Sequence, residues 1–215
     1  MTVEVEVNEG PAGPGDPARL IALADGVFAI VMTLLVLDLR VPLDVGEAEL
    51  QRDLVHHLPS LLAYVFAFLL AAEYWIYHRA TFNRVRGTNI AIVLLNIGFL
   101  LLVALIPFGA SLIGNYPSSR TALFVYGALL ILLEAYRLAM FIYIHTRSPE
   151  LVAPVPLPLF RGRVWVIVVE LAVFAAAMAL LPVLPPVLVL LVYGITPVIF
   201  FFVMSWFNTR FTGTA

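Results

Sequence analysis

Eight polar side chains stand inside long apolar runs of this chain: Asp25, Thr33, Glu73, His78, Asn96, Glu134, Arg137 and Glu170. Each is a group able to hold an ion, move a proton or anchor a neighbouring helix. Metal or acid–base chemistry is the first use to test. Glu73 and His78 are five residues apart, about 140° around a helix of 3.6 residues per turn, so they do not serve one metal from one face. His56 and His57 are adjacent, which is not ligand spacing. No HExxH, GxSxG or SxxK string is present. The chain has no cysteine, which excludes thiolate nucleophiles, thiolate metal sites and disulfides. The reading is therefore a protein that is not an enzyme, with no cofactor and no bound metal.

The remaining polar groups are read as membrane chemistry. Arg19 to Pro42 is long and apolar enough to cross a bilayer, yet it carries Asp25 about a turn and a half in. An ionised carboxylate at that depth costs roughly 2.5 kcal/mol or more unless it is paired or wetted. Glu134 and Arg137, spaced i, i+3, pair locally on one helix and read as a neutralised structural pair. Glu170, expected within two turns of its helix start, is in reach of water or an arginine.

Composition agrees on the solvent. The chain is 62% hydrophobic and 12% charged, with mean hydropathy +1.02. Soluble domains average roughly 25% charged residues, so this chain lacks the polar surface to face water. A formal charge of -2 gives no basic patch for nucleic acid. All twelve basic residues are arginine, which hints at a GC-rich genome.

A bilayer core of about 30 Å takes roughly 20 apolar residues per helix. Six segments qualify: Leu20–Leu39, Leu58–Tyr77, Ile90–Ile113, Thr121–Ile144, Val164–Val183 and Pro186–Phe207. The fold class is thus an all-α membrane protein with six transmembrane helices per subunit. The prolines of Leu181–Pro186 separate the last two spans, because proline lacks an N–H and clashes with a continuing helix. Gly46–Leu58 reads as a short amphipathic helix at the interface, with Leu50, Leu54, Val55 and Leu58 on its apolar side. The prolines between Arg147 and Arg163 favour an extended strap. Residues 1–18 read as a disordered acidic tail, 19–210 as the transmembrane domain and 211–215 as a short C-terminal tail. Eight arginines fall on the side of the two termini (Arg19, Arg79, Arg84, Arg86, Arg147, Arg161, Arg163 and Arg210) and three on the other (Arg40, Arg52 and Arg120). The positive-inside rule then puts both termini in the cytoplasm.

On the first helix, Ile30, Leu34 and Leu37 step by four and three and form one stripe, with Thr33 beside it. Asp25 is about 140° from Ile30 and faces elsewhere. The commonest use of such a stripe is contact with lipid or another helix. There is no TVGYG-like carbonyl filter and no arginine-every-third-residue voltage sensor.

The segment Arg19-x-x-x-Leu23-Ala24-Asp25 resembles the RxxxFSD signature that opens the first helix in the transmembrane protein 175 family of potassium channels. Met32-Thr33-Leu34-Leu35-Val36-Leu37-Asp38 is similar to its prokaryotic members. Tyr74-Trp75-Ile76-Tyr77-His78-Arg79 is similar to the segment ending the family's second helix. Leu95-Asn96, followed by Leu102 to Phe108, resembles its third. Leu23-Ala24 replaces the family's Phe-Ser, so the serine hydroxyl is lost.

The resemblance implies a single-repeat subunit and a homotetramer in a bacterial plasma membrane. It implies a potassium channel of modest selectivity, passing potassium and other monovalent cations. The pore would be lined by the first helix, with Ile30, Leu34 and Leu37 as an apolar constriction and Thr33 as a polar ring. Arg19, Asp25, Trp75, His78 and Asn96 would form the network that holds that helix. A secondary transporter and a non-conducting membrane scaffold are the alternatives.

Overall fold

The computed structural model describes residues 15–39 and 46–212. Most of the expected acidic tail (residues 1–14), residues 40–45 and residues 213–215 lie outside the described residues.

Among the described residues, seven of the eight α-helices make up the six spans. Helix α1 (Ala18–Leu34) continues through a 3-10 turn, Leu35–Asp38. A short α2 (Glu47–His56) follows, where the sequence placed an amphipathic helix, and α3 (Leu58–Phe82) returns. The third span is two helices, α4 (Ile90–Val103) and α5 (Ile106–Asn115). Then come α6 (Arg120–Arg147), α7 (Leu157–Ala179) and α8 (Pro186–Thr212).

Two boundaries depart from the sequence reading, both through proline. The third span breaks at Ala104–Leu105 because Pro107 has no N–H to return to the Val103 carbonyl, so the ladder restarts with Gly109 N bonded to Leu105 O at 3.1 Å. The fifth span, α7, starts at Leu157, a full two turns before Val164, because Pro158 stands in its first turn, where no N–H is needed. Glu170 is therefore roughly three and a half turns into α7, not near its start. Pro197 lies inside α8 without ending it.

Small residues let the helices approach. The Ser60 hydroxyl on α3 donates to the Gly114 carbonyl on α5 at 3.1 Å. A Cβ on Gly114 would lie 3.2 Å from the Ser60 backbone, a contact few side chains tolerate. In lipid the association of helices rests on this kind of close packing and on hydrogen bonds across them, since lipid tails are as apolar as leucine.

At the end of the bundle where α3 hands over to α4, three segments are tied by backbone bonds. Arg86 N bonds Leu151 O and Ala153 N bonds Arg84 O, both at 2.7 Å. Thr88 exchanges two bonds with Gly15, just before α1, at 3.0 and 3.2 Å.

Candidate functional site

Helix α1 is covered along one stripe and bare along the other. Leu20, Ala24, Phe28, Val31 and Leu35 are buried against α3, α4 and α5. At 100° per residue, the pole opposite that stripe runs through Ala22, Gly26, Ala29 and Thr33, all exposed. Ile30 and Leu37 flank it, 59% and 66% exposed, with Leu34 further round at 44%. Thr33 thus lies at the centre of the open face, not at its edge. Its hydroxyl donates back into the helix, 2.9 Å from the Ile30 carbonyl and 3.0 Å from that of Ala29. With its single proton used, the hydroxyl turns acceptor lone pairs outward.

The polar residues expected to hold α1 form two pairs. Trp75 Nε1 donates to Asp25 Oδ1 at 2.7 Å, joining α3 to α1. His78 Nε2 donates to Asn96 Oδ1, also at 2.7 Å, joining α3 to α4. The His78 ring is stacked on Phe82, 4.3 Å between centroids and 14° from parallel, and it touches Phe28 of α1 at 6.0 Å. The Arg79 guanidinium lies over the Trp75 ring at 5.5 Å. The structure does not bring Arg19 to Asp25. Arg19 is exposed at the start of α1, and no ion pair to Asp25 forms among the described residues.

A second polar cluster is larger than the sequence suggested. Arg137 Nη2 contacts Glu134 Oε2 at 2.6 Å on its own helix and Glu170 Oε2 at 2.7 Å on α7. Its Nη1 lies 3.6 Å from Glu73 Oε1 on α3. The Tyr74 hydroxyl donates to Glu134 Oε1 at 2.7 Å. The guanidinium also sits over the Tyr77 ring at 4.9 Å, a favourable cation–π geometry. Glu134 and Glu170 are completely buried. The expected Glu134–Arg137 pair is present, and Glu170 meets an arginine. Glu73, weighed above only as a partner of His78, belongs to Arg137. Its depth in an apolar run was the available signal, but the partner on α6 is about 60 residues away in sequence.

These features define a class, a six-span α-helical membrane protein whose helices, α1 among them, keep exposed apolar faces on the side away from the bundle. The family model described as the endosomal/lysosomal potassium channel TMEM175 matches residues 19–107. A potassium channel of Streptomyces collinus is 34% identical over 120 residues, 54% of this chain and 58% of that protein. One of a Chryseobacterium species is 36% identical over 114 residues, 53% and 57%. The matched part of the chain thus spans less than two thirds of the length of these curated relatives. The crystal structure of a lysosomal potassium-selective channel TMEM175 homologue from Chamaesiphon minutus superposes with a TM-score of 0.76. It is 26% identical and covers 87% of this chain and 97% of its own. Over residues 19–107 the chain is thus similar to the TMEM175 family, and its six-span fold matches that of the Chamaesiphon minutus homologue.

Proposed function

We propose that this protein is a potassium-selective cation channel of modest selectivity. It is a homotetramer in a bacterial plasma membrane, with both termini in the cytoplasm. The observation that carries this reading is the bare face of α1. Four copies arranged about an axis would cover that face with itself, as cyclic assemblies do. Ile30, Leu34 and Leu37 would then narrow the path and Thr33 would supply a ring of oxygens.

An apolar ring selects differently from a ring of carbonyls. Ions shed water to pass it, and it closes by dewetting. Potassium gives up its hydration shell at lower cost than sodium, so a narrow apolar ring favours potassium, but less sharply than carbonyl ligands do. The names carried by the bacterial relatives support potassium as the permeant ion. The eight-to-three arginine bias supports the orientation.

The test is single-channel recording from purified protein in a planar bilayer under opposed potassium and sodium gradients. Discrete current steps that reverse toward the potassium equilibrium potential are expected. Solute uptake without unitary steps would make the protein a transporter, and the absence of both would make it a scaffold.

A further inference from the structure

The cluster around Arg137 has an unbalanced charge. Three carboxylates, Glu73, Glu134 and Glu170, share one guanidinium in the interior of the bundle. All four residues are at least 95% buried. If every group were ionised the cluster would carry two uncompensated negative charges, which a low-dielectric interior strongly disfavours.

The three carboxylates are not equally compensated. Glu134 accepts from Tyr74 through one oxygen and meets Arg137 with the other. Glu170 accepts from Arg137 Nη2. Neither oxygen of Glu73 has a hydrogen-bond partner, and its approach to Arg137 is a long 3.6 Å. Glu170 Oε1 also has no hydrogen-bond partner.

A second observation, apart from the carboxylates, points the same way. A cavity of about 30 Å³ borders Arg137 and is lined also by Tyr77, His78, Thr81, Phe99 and the buried Arg163 of α7. Arg137 Nε and Nη1 are buried without hydrogen-bond partners. A cavity needs roughly 10–15 Å³ to admit water; this one is larger, and within its mainly apolar wall the unpartnered Arg137 donors are the groups a water would meet.

We propose that this cluster is a proton-binding site, which holds a dissociable proton on Glu73 at neutral pH and exchanges it through water in the adjoining cavity. The groups acting on that proton are Glu134 and Arg137 from α6, Glu170 from α7, and Tyr74 and Tyr77 from α3 itself. Helix α8 meets this level through the Phe200 carbonyl, which accepts from Tyr77 at 3.3 Å. On α1 and α4 the polar groups are committed to other pairs, Asp25 to Trp75 and Asn96 to His78. Because the cluster joins α3, α6 and α7, loss of the proton sets like charges against one another across three helices. The site is separate from the bare face of α1, and its occupancy does not depend on whether the chain conducts.

Infrared spectroscopy of the purified full-length protein reads the proton directly, through the C=O stretch of a protonated carboxylic acid. The wild type is expected to show that band at neutral pH, to shift it in heavy water and to lose it as the pH is raised. Glu73→Gln, which copies the shape of the protonated acid, should remove the band. Glu134→Gln and Glu170→Gln should retain it. The melting temperature of the wild type should fall as pH rises, while that of Glu73→Gln stays level. A wild type without the band at neutral pH would overturn the proposal, and so would a band left at full strength in Glu73→Gln. The wild-type spectrum decides the matter even if a variant does not fold.

Discussion

Trp75 donates its indole N–H to Asp25 at 2.7 Å, so the only carboxylate inside the described part of the first span is tied to the second. This is how the chain keeps an aspartate in an apolar helix. The bond also fixes the rotation of α1, because Asp25 lies to one side of the open face whose centre is Thr33. A rotation of α1 that broke the bond would move Ile30 and Leu37 away from where they now point.

Replacing Trp75 by Phe keeps the ring and removes the donor. The expected result is a loss of roughly 1–3 kcal/mol, the usual cost of stranding a buried or charged acceptor. It should appear as a lower midpoint when the purified protein is heated and the surviving oligomer is read by size exclusion. Asp25→Asn, which keeps an acceptor oxygen, should lose less. Equal midpoints for wild type and Trp75→Phe would mean that the bond holds nothing.

The two faces of α1 should respond differently to a polar side chain. Ile30→Asn and Leu37→Asn are expected to wet the constriction, raise conductance and reduce the preference for potassium over sodium. Leu35→Asn places an amide in the packed interior, where Leu35 is 2% exposed, and should lower the yield of folded protein instead. Reversal potentials and conductances in planar bilayers distinguish these outcomes. Changed permeation in Leu35→Asn with unchanged Ile30→Asn and Leu37→Asn would place the pore on another face.

Removing Arg137 should be the most damaging change in the molecule. Arg137→Met leaves Glu134 and Glu170 buried with no counter-charge, and breaking even one buried pair costs about 3–5 kcal/mol. No folded protein is expected from Arg137→Met under conditions that give wild type, judged by detergent-soluble yield. Recovery at wild-type level would contradict the role of the guanidinium in binding α6 to α3 and α7.

Orientation can be read with single cysteines, since the chain has none of its own. Gly46 and Ser118 are exposed in connections at one end of the bundle, and Glu150 is exposed at the other. Gly46→Cys and Ser118→Cys should label from outside intact cells with an impermeant reagent, and Glu150→Cys should not. The reverse pattern would invert the proposed topology.

Assembly is tested by crosslinking the detergent-solubilised protein. A ladder ending at four subunits is expected. A monomer that conducts would remove the reason for placing α1 at an axis.

The sequence shows its spans plainly because hydropathy is a local property. Five of the six apolar runs are built on one helix each and the third on two, and the prolines before Pro186 separate the last two. It shows its breaks less well. Pro107 interrupts a span while Pro197 does not, and Pro158 opens a helix in a stretch that reads as a strap, because the outcome depends on where the proline stands relative to the helix start. The polar residues were visible as exceptions, but their partners were not. Glu134 finds Arg137 by spacing along one helix. Glu73 and Glu170 reach the same guanidinium from two other helices, and no periodicity in the chain encodes that meeting. Thr33 reads from spacing as a neighbour of the stripe, and the packing of α1 puts it at the middle of the open face.

The backbone bonds at the α3–α4 turn have a mechanical consequence. The strap after α6 is clamped at Leu151 and Ala153 to Arg86 and Arg84, and two residues further on Thr88 is clamped to Gly15, three residues before α1 begins. Tension applied to the strap therefore reaches the start of the first helix through two short rungs, without passing through the side-chain core.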